Sequence, residues 1–443
     1  MTKVLIIDPS GQALDISIRA KQHGHEVRHY VKDTPKTKWI GDGLIEIVRD
    51  YEPALKWAEL VFLADNVKYD PPRFDSLRPT IKGLIVGPTR DQAQWELDRS
   101  TGMDVLKKHG IKVPVSQEFN SYDKAIAFVK ANPVRWVSKP SGDADKALSY
   151  CSNSAADMVY MLERWKKKGM KRDFILQEFI PGCEMAVGAW FGPSGWATPW
   201  CENFEFKKLM DGDMGVATGE QGTVLRYVAK SKLARTVLEP LTETLEETGY
   251  CGYIDVNCII DDQGSVWPLE FTCRPGWPTF NIQQELHPGD PIEWVTALAR
   301  GEEPPVQEDL IAIGVVLSIP DYPYSHLTRK EVIGCPVYGA EATNPHIHFC
   351  EVMAAKCPVE GERGSIVERT MPATAGDYVL VMSAAADTVY DAKRTCYRRL
   401  KQLNLPSSPM YRTDIGDRLS KQLPQMQKLG FATGMEFSTE ARR

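Results

Sequence analysis

The chain has 443 residues, of which 43% are hydrophobic and 25% charged, with a net charge of −6 and a pI near 5.9. That length allows two to four domains with their own cores, and the mild acidity argues against a broad nucleic-acid surface. No stretch approaches about 18 apolar residues. The N-terminal stretch MTKVLIIDPSG has an apolar run of only four residues, which is not a signal-peptide pattern. Ten cysteines are scattered without a C-x-x-C pair, as in a protein with reduced thiols. A cytoplasmic location, no membrane or nucleic-acid partner, and a monomer or homodimer are therefore expected. His346 and His348 read as two residues of one strand without a metal role, because no third ligand lies nearby in the sequence.

Lys3–Asp8 predicts a short apolar strand, and Gln12–His23 a helix. Further strands are expected at Val27–Tyr30, Leu60–Ala64 and Leu84–Val86, so the N-terminus reads as a parallel α/β unit with ligand sites at the strand C-termini. Asp8, Pro9, Ser10 and Gly11 lie at the first such end, in a turn that is not a G-x-G-x-x-G loop. Thr89–Gly110 reads as polar helix. Helices at Tyr122–Lys130 and Ala155–Lys168, with strands at Trp136–Lys139 and Met185–Trp190 and the run Phe174–Gly182 between, predict a compact βαβ-type subdomain. The glycine-rich stretch Gly212–Gly222 reads as a mobile lid or ligand loop. Arg300–Asp309 reads as a linker, followed by strands at Ile313–Ile319 and Tyr378–Met382 and a helix at Ala386–Leu403.

The stretch Gly249–Trp277 carries the most chemistry. It predicts a hairpin turning at Asp261-Asp262-Gln263-Gly264. Glu270 and Thr272 share one face by the two-residue strand period, and Asn257 falls beside Glu270 if the hairpin is in register. Arg274 follows at once. A carboxylate, two neutral oxygen ligands and a guanidinium at one sheet edge suit Mg²⁺ and a polyphosphate; a plain surface hairpin is the competing reading.

Several segments, in order, resemble the ATP-grasp carboxylate–amine ligases, and among them the glycinamide ribonucleotide synthetase (phosphoribosylamine–glycine ligase) family. They are Gly87-Pro88-Thr89, Trp136-Val137-Ser138-Lys139, the run from Gln177 to Glu184 (QEFIPGCE), Leu269-Glu270-Phe271-Thr272-Cys273-Arg274, and Tyr411-Arg412-Thr413-Asp414-Ile415-Gly416. The resemblance implies an α/β multidomain fold. It comprises a Rossmann-like domain (1–88), an ATP-grasp domain (89–303) with a lid-like subdomain (114–188), and a small α/β C-terminal domain (304–443). It also implies ATP and Mg²⁺ as cofactors. Lys139 would meet the α/β-phosphates, with Arg99 and Lys146 as further phosphate cations. Gln177, Glu178, Phe179 and Ile180 would form the adenine hinge, and Glu184 would accept from the ribose hydroxyls. Glu270, Thr272 and Asn257 would hold the metal, while Arg274 with Lys139 would serve catalysis. Asp8, Ser10, Gly11, Arg274, Arg412, Asp414 and Gly416 would face substrate.

The sequence departs from that family at three places. Its phosphate loop G-x-G-x-R-E-H-A is replaced by Asp8-Pro9-Ser10-Gly11-Gln12-Ala13-Leu14, the loop after Lys139 contains Asp143 and Asp145, and Thr272 stands where the family has Asn. Trp190, Trp196, Trp200, Trp277 and Phe280 supply flat apolar surface, or ordinary core. The expected activity is ATP-dependent joining of an amino acid such as glycine to an amine through an acyl phosphate, the amine being a nucleotide or nucleoside derivative. A true phosphoribosylamine–glycine ligase and an inactive nucleotide-binding homologue are the alternatives.

Overall fold

The computed structural model describes residues 1–66, 68–140, 149–170, 173–287, 289–305, 309–324 and 332–438. Lys146 lies outside the described residues. The chain begins with a five-stranded parallel sheet made of β1 (Lys3–Ile7), β2 (Glu26–Tyr30), β3 (Glu46–Val48), β4 (Leu60–Leu63) and β5 (Leu84–Val86). Their spatial order is β3-β2-β1-β4-β5. The four residues Val4–Ile7 and all of Leu60–Leu63 are buried, because helices cover both faces of a parallel sheet and leave no face for alternating polar residues. Helix α1 (Leu14–Gln22) follows β1.

A second sheet, in the order β6-β9-β7-β8, contains β6 (Ser116–Phe119), β7 (Trp136–Pro140), β8 (Tyr150–Cys151) and β9 (Phe174–Glu178). Its paired strands run antiparallel, so this part is a small antiparallel sheet rather than the expected βαβ unit. The helices Tyr122–Ala131 and Ala155–Lys167 accompany it. They bury Ala125, Val129, Met158, Leu162 and Trp165 against Trp136, Phe174 and Leu176.

The third sheet is the largest. It contains β10 (Cys183–Gly192), β11 (Gly195–Met210), β12 (Met214–Val228), β13 (Gly252–Ile260), β14 (Val266–Thr272), β15 (Ile311–Ser318), β16 (Ile347–Phe349) and β19 (Tyr378–Ala386). The order is β14-β13-β10-β11-β12-β15-β19-β16. Strands β17 (Val352–Glu360) and β18 (Ile366–Thr374) form a separate antiparallel ribbon. The large sheet runs without a break past residue 303, through the β12–β15 pairing.

Two expectations change here. The stretch Gly212–Gly222 is not a free loop. Most of it is β12, paired with β11, and only Asp211–Asp213 forms the turn. Its glycines serve packing: a Cβ on Gly222 would meet the Gly314 carbonyl oxygen at 2.5 Å, so the bare residue lets β12 approach β15. Of the aromatic residues, Trp190, Trp200 and Phe280 are core rather than open surface. Trp190 is 1% exposed and packs on Phe62, Tyr253, Phe280 and Trp294. Trp196 packs on Phe191 and Trp200, and Trp277 donates its indole N–H to the Ala64 carbonyl. Large aromatic groups gain most by filling the seam between sheets.

Candidate active site

Strand alternation and register assemble the site. Asn257 on β13 lies opposite Glu270 on β14, and Asp255 lies opposite Thr272. The expected neighbourhood of Asn257 and Glu270 is therefore present. On β11, Asn203, Glu205 and Lys207 share a face by the two-residue period. Glu184 comes from β10, Lys139 from β7, and Arg99 from the first turn of the helix Arg99–Lys108, whose N-cap Asp98 accepts from the Ser100 and Thr101 amides.

Arg99 meets a Glu270 carboxylate oxygen at 2.6 Å. The Lys207 ammonium stands 2.8 Å from Glu184, 2.9 Å from Glu205 and 3.4 Å from Glu270. Asn257 donates to Glu205 at 2.7 Å. The cations Arg99, Lys207 and Lys139, chiefly Arg99, hold Glu270 far below the usual carboxylate range although burial pushes the other way. Burial also opposes the charge on Lys207, but Glu184, Glu205 and Glu270 outweigh it and hold the ammonium protonated. Lys139 has less compensation: burial first, and Arg99 second, pull it down to about 7. Burial and the nearby Glu205 raise Asp255 to about 7, and the same two causes raise Glu220.

Of the expected site residues, Arg99, Lys139, Glu184, Asn257 and Glu270 come together. Lys207, Glu205, Asp255 and Glu220 join them and were not expected. The only sequence signal for two of these is the alternation Asn203-Phe204-Glu205-Phe206-Lys207, whose phenylalanines are buried. Gln177 is buried in β9 and Glu178 ends it. The Glu178 amide donates to Val115, and the Phe179 amide donates to Arg135. The Arg135 guanidinium stacks over the Phe179 ring at 3.5 Å, and Ile180 follows, half-buried.

Arg274 pairs with Glu96 at 3.1 Å. Glu96 also accepts from the Cys273 amide and from Asn66, just past β4. Arg274 thus joins the β13–β14 hairpin to the C-terminal edge of the first sheet. Asp8, Ser10 and Gly11 lie at that edge. Arg412, Asp414 and Gly416 do not face it: Arg412 is 1% exposed and is bound by Asp414, Asp213 and the Lys208 carbonyl. These contacts lock the turn of the β11–β12 hairpin to the C-terminal segment. His346 and His348 bond Glu285 and Asp15, as structural side chains do.

The residues fit Mg²⁺. Glu270 and Glu205 offer carboxylate oxygens, and Asn257 Oδ1 is buried without a hydrogen-bond partner, the kind of orphaned hard donor such a cation satisfies. Thr272 shares a strand face with Glu270. Mg²⁺ commonly completes its shell with phosphate oxygens rather than with a full protein cage.

Residues 98–279 match the family described as phosphoribosylglycinamide synthetase, ATP-grasp (A) domain. The chain is an ATP-grasp ligase. The ligase is 26% identical over 355 residues to the phosphoribosylamine–glycine ligase of Ralstonia nicotianae, covering 76% of this chain and 79% of that one. It is 25% identical over 346 residues to that of Halalkalibacterium halodurans, covering 75% and 76%. The crystal structure of the Thermotoga maritima phosphoribosylamine–glycine ligase superposes with a TM-score of 0.70 at 21% identity, covering 93% of this chain and 99% of that one. The biotin carboxylase domain of Hydrogenobacter thermophilus 2-oxoglutarate carboxylase, solved with MgADP, shares the fold at a TM-score of 0.62 and 12% identity, covering 99% and 96%. The ligase thus belongs with the ADP-forming enzymes that make carbon–nitrogen bonds. Among its described residues no helix is long and apolar enough to cross a membrane.

Proposed function

We propose that the ligase activates an amino-acid carboxylate with ATP and joins it to an amine. The observation that carries this reading is the convergence of Arg99, Lys139 and Lys207 on the Glu270 face, since phosphoryl transfer depends mainly on positioning and charge neutralisation. Arg99, Lys139 and Lys207 would hold the triphosphate. The hinge Gln177–Ile180 would hold the adenine, and Glu184 the ribose hydroxyls. Glu270, Asn257, Thr272 and Glu205 would hold Mg²⁺, which supplies charge neutralisation on the phosphates when bound.

The substrate carboxylate oxygen forms a bond to the γ-phosphorus as the bond to the ADP oxygen breaks. The amine nitrogen then attacks the acyl carbon, inorganic phosphate leaves, and the nitrogen gives up a proton. Asp255 and Glu220 lie beside this face with raised proton affinity, and either is placed to receive that proton. The names of the relatives favour glycine and phosphoribosylamine over a nucleoside amine, and of the aromatic residues that suggested a flat acceptor Trp190, Trp200 and Phe280 are core. The test is ADP release with Mg-ATP and glycine against a panel of amines that includes phosphoribosylamine. ADP formed only when both carboxylate and amine are present supports ligation; silence across the panel, with nucleotide bound, overturns it.

A further inference from the structure

The face of β11 and β12 around Glu205 carries three oxygens that nothing in the chain satisfies. Asn203 lies two residues before Glu205 on β11, so both point to one face. Thr223 on β12 is the cross-strand partner of Glu205, and such partners share a face. Glu220 lies in the break of register between the pairs Phe206–Gly222 and Lys208–Ala217, within charge–charge reach of Glu205, Lys207 and Asp255. Asn203 and Thr223 are 0% exposed and Glu220 is 6% exposed. Asn203 Oδ1, Thr223 Oγ1 and Glu220 Oε1 are each buried without a hydrogen-bond partner. Buried polar atoms are nearly always paired, so three orphans on one patch of sheet mark a place where a ligand supplies the donors.

The neighbours decide what kind of donor fits. The Asn203 amide nitrogen is spent on Asp255 at 3.1 Å, which leaves the carbonyl oxygen as the group Asn203 offers. Asp255 also accepts from the Tyr253 hydroxyl at 3.4 Å, and Gln283 donates to that hydroxyl at 3.3 Å. A Cβ on Gly188 would lie 2.1 Å from the Tyr253 hydroxyl and 2.8 Å from Asp255, so the bare residue on β10 lets both groups lie across that strand towards Asn203. The Lys207 ammonium is committed to Glu184, Glu205 and Glu270. The patch thus offers three acceptors, one of them a carboxylate oxygen. An ammonium matches it, with three N–H donors, no acceptor and one positive charge. A neutral hydroxyl has a single donor and would leave two of the oxygens unpaired.

We infer that Asn203, Thr223 and Glu220 form an ammonium subsite that holds the amino group of the amino-acid substrate, so that the ligase activates amino acids rather than simple carboxylates. The inference rests on the ligase reading and adds to it the selection of the carboxylate. Glu205 stands 2.9 Å from Lys207, which sets the subsite beside the phosphate cations, where the carboxylate end of a short amino acid has to lie. Asp255 remains to take the proton of the attacking amine. The experiment compares glycine with acetate and glycolate, which keep the carboxylate and lose the ammonium. ADP release is followed for the full chain with Mg-ATP and the amine that gives turnover. Glycine and acetate are also titrated directly by calorimetry, and methylammonium and potassium are tested as competitors of glycine. The expected kcat/KM for glycine is at least about 100-fold above that for acetate or glycolate. Glycine binds and acetate does not, and methylammonium competes where potassium does not. Thr223→Val, which keeps the shape and removes the hydroxyl, is expected to raise KM for glycine roughly ten-fold with KM for ATP near wild type. Turnover of acetate or glycolate within a few-fold of glycine overturns the inference, as does a failure of glycine to bind directly. Potassium competing as well as methylammonium makes the patch an inorganic-cation site and overturns it too. If Thr223→Val does not fold, the wild-type comparison decides alone. Absence of ADP with every carboxylate and amine counts against the ligase reading, while the direct titrations still decide the subsite.

Discussion

Arg99 and Glu270 meet at 2.6 Å, one from a helix start and the other from a strand of the large sheet, and this pair ties the helix that follows Asp98 to the face that carries Asn257 and Glu270. Glu270 also receives Lys207. Removing its carboxylate takes away the group that both cations oppose. Glu270→Gln is expected to lower ADP release by at least about 100-fold while leaving circular dichroism and the unfolding transition close to wild type. Activity within a few-fold of wild type would remove Glu270 from the metal role.

Lys139 titrates at about 7 because burial and Arg99 disfavour its charge. A bound triphosphate favours that charge, so nucleotide binding takes up a proton in the window from about pH 7 to the higher value that Lys139 has in the complex. Affinity for ATP is therefore expected to fall as pH rises from 7 towards 10. Calorimetry in buffers of different ionisation heat measures the uptake, and Lys139→Met is expected to abolish it. The sign for stability is opposite. The unfolded lysine binds its proton up to its ordinary value of 10.5, so the free protein gains stability from this group as pH rises from 7 to 10.5.

Arg412 is buried among Asp213, Asp414 and the Lys208 carbonyl. As a brace, Arg412→Ala is expected to destabilise the fold by about 2 kcal/mol, discounted because Asp213 faces solvent. KM for both substrates should stay near wild type at temperatures well below unfolding. A large rise in KM with an unchanged unfolding midpoint would instead place Arg412 at substrate.

Gly222→Ala tests the close approach of two central strands. The added methyl would meet a backbone oxygen at 2.5 Å, which neither strand can yield without breaking its pairing. Destabilisation of about 2 kcal/mol is expected in chemical denaturation, and no change would mean the strands are free to separate.

Much of this was legible in residues taken one strand at a time. The buried run Val4–Ile7 announces a parallel strand, and the facing of Asn257 and Glu270 follows from hairpin period. Strand β3 escapes notice because Glu46–Val48 is three residues long and none is fully buried. Gly212–Gly222 misleads because its glycines answer to neighbouring strands, which local composition does not record. Lys207 is invisible for a related reason. A lysine on a strand reads as solvent-facing until Glu184 and Glu270, supplied by other strands, join Glu205 of its own strand in holding it. The inward turn of Asp8 depends on His29 and the Ala13 amide, again contacts of the folded state.

The continuity of the large sheet past residue 303 has a practical consequence for dissecting the protein. Strand β12 pairs with β15 through Gly222–Arg226 and Ile311–Val315, and β15 is buried along its whole length. A fragment ending at 303 would carry a long raw margin of unpaired amides and carbonyls beside an uncovered apolar layer. Such margins recruit other chains, so the shortened protein should be recovered as aggregate, and supplying residues 304–443 as a separate polypeptide should rescue its solubility.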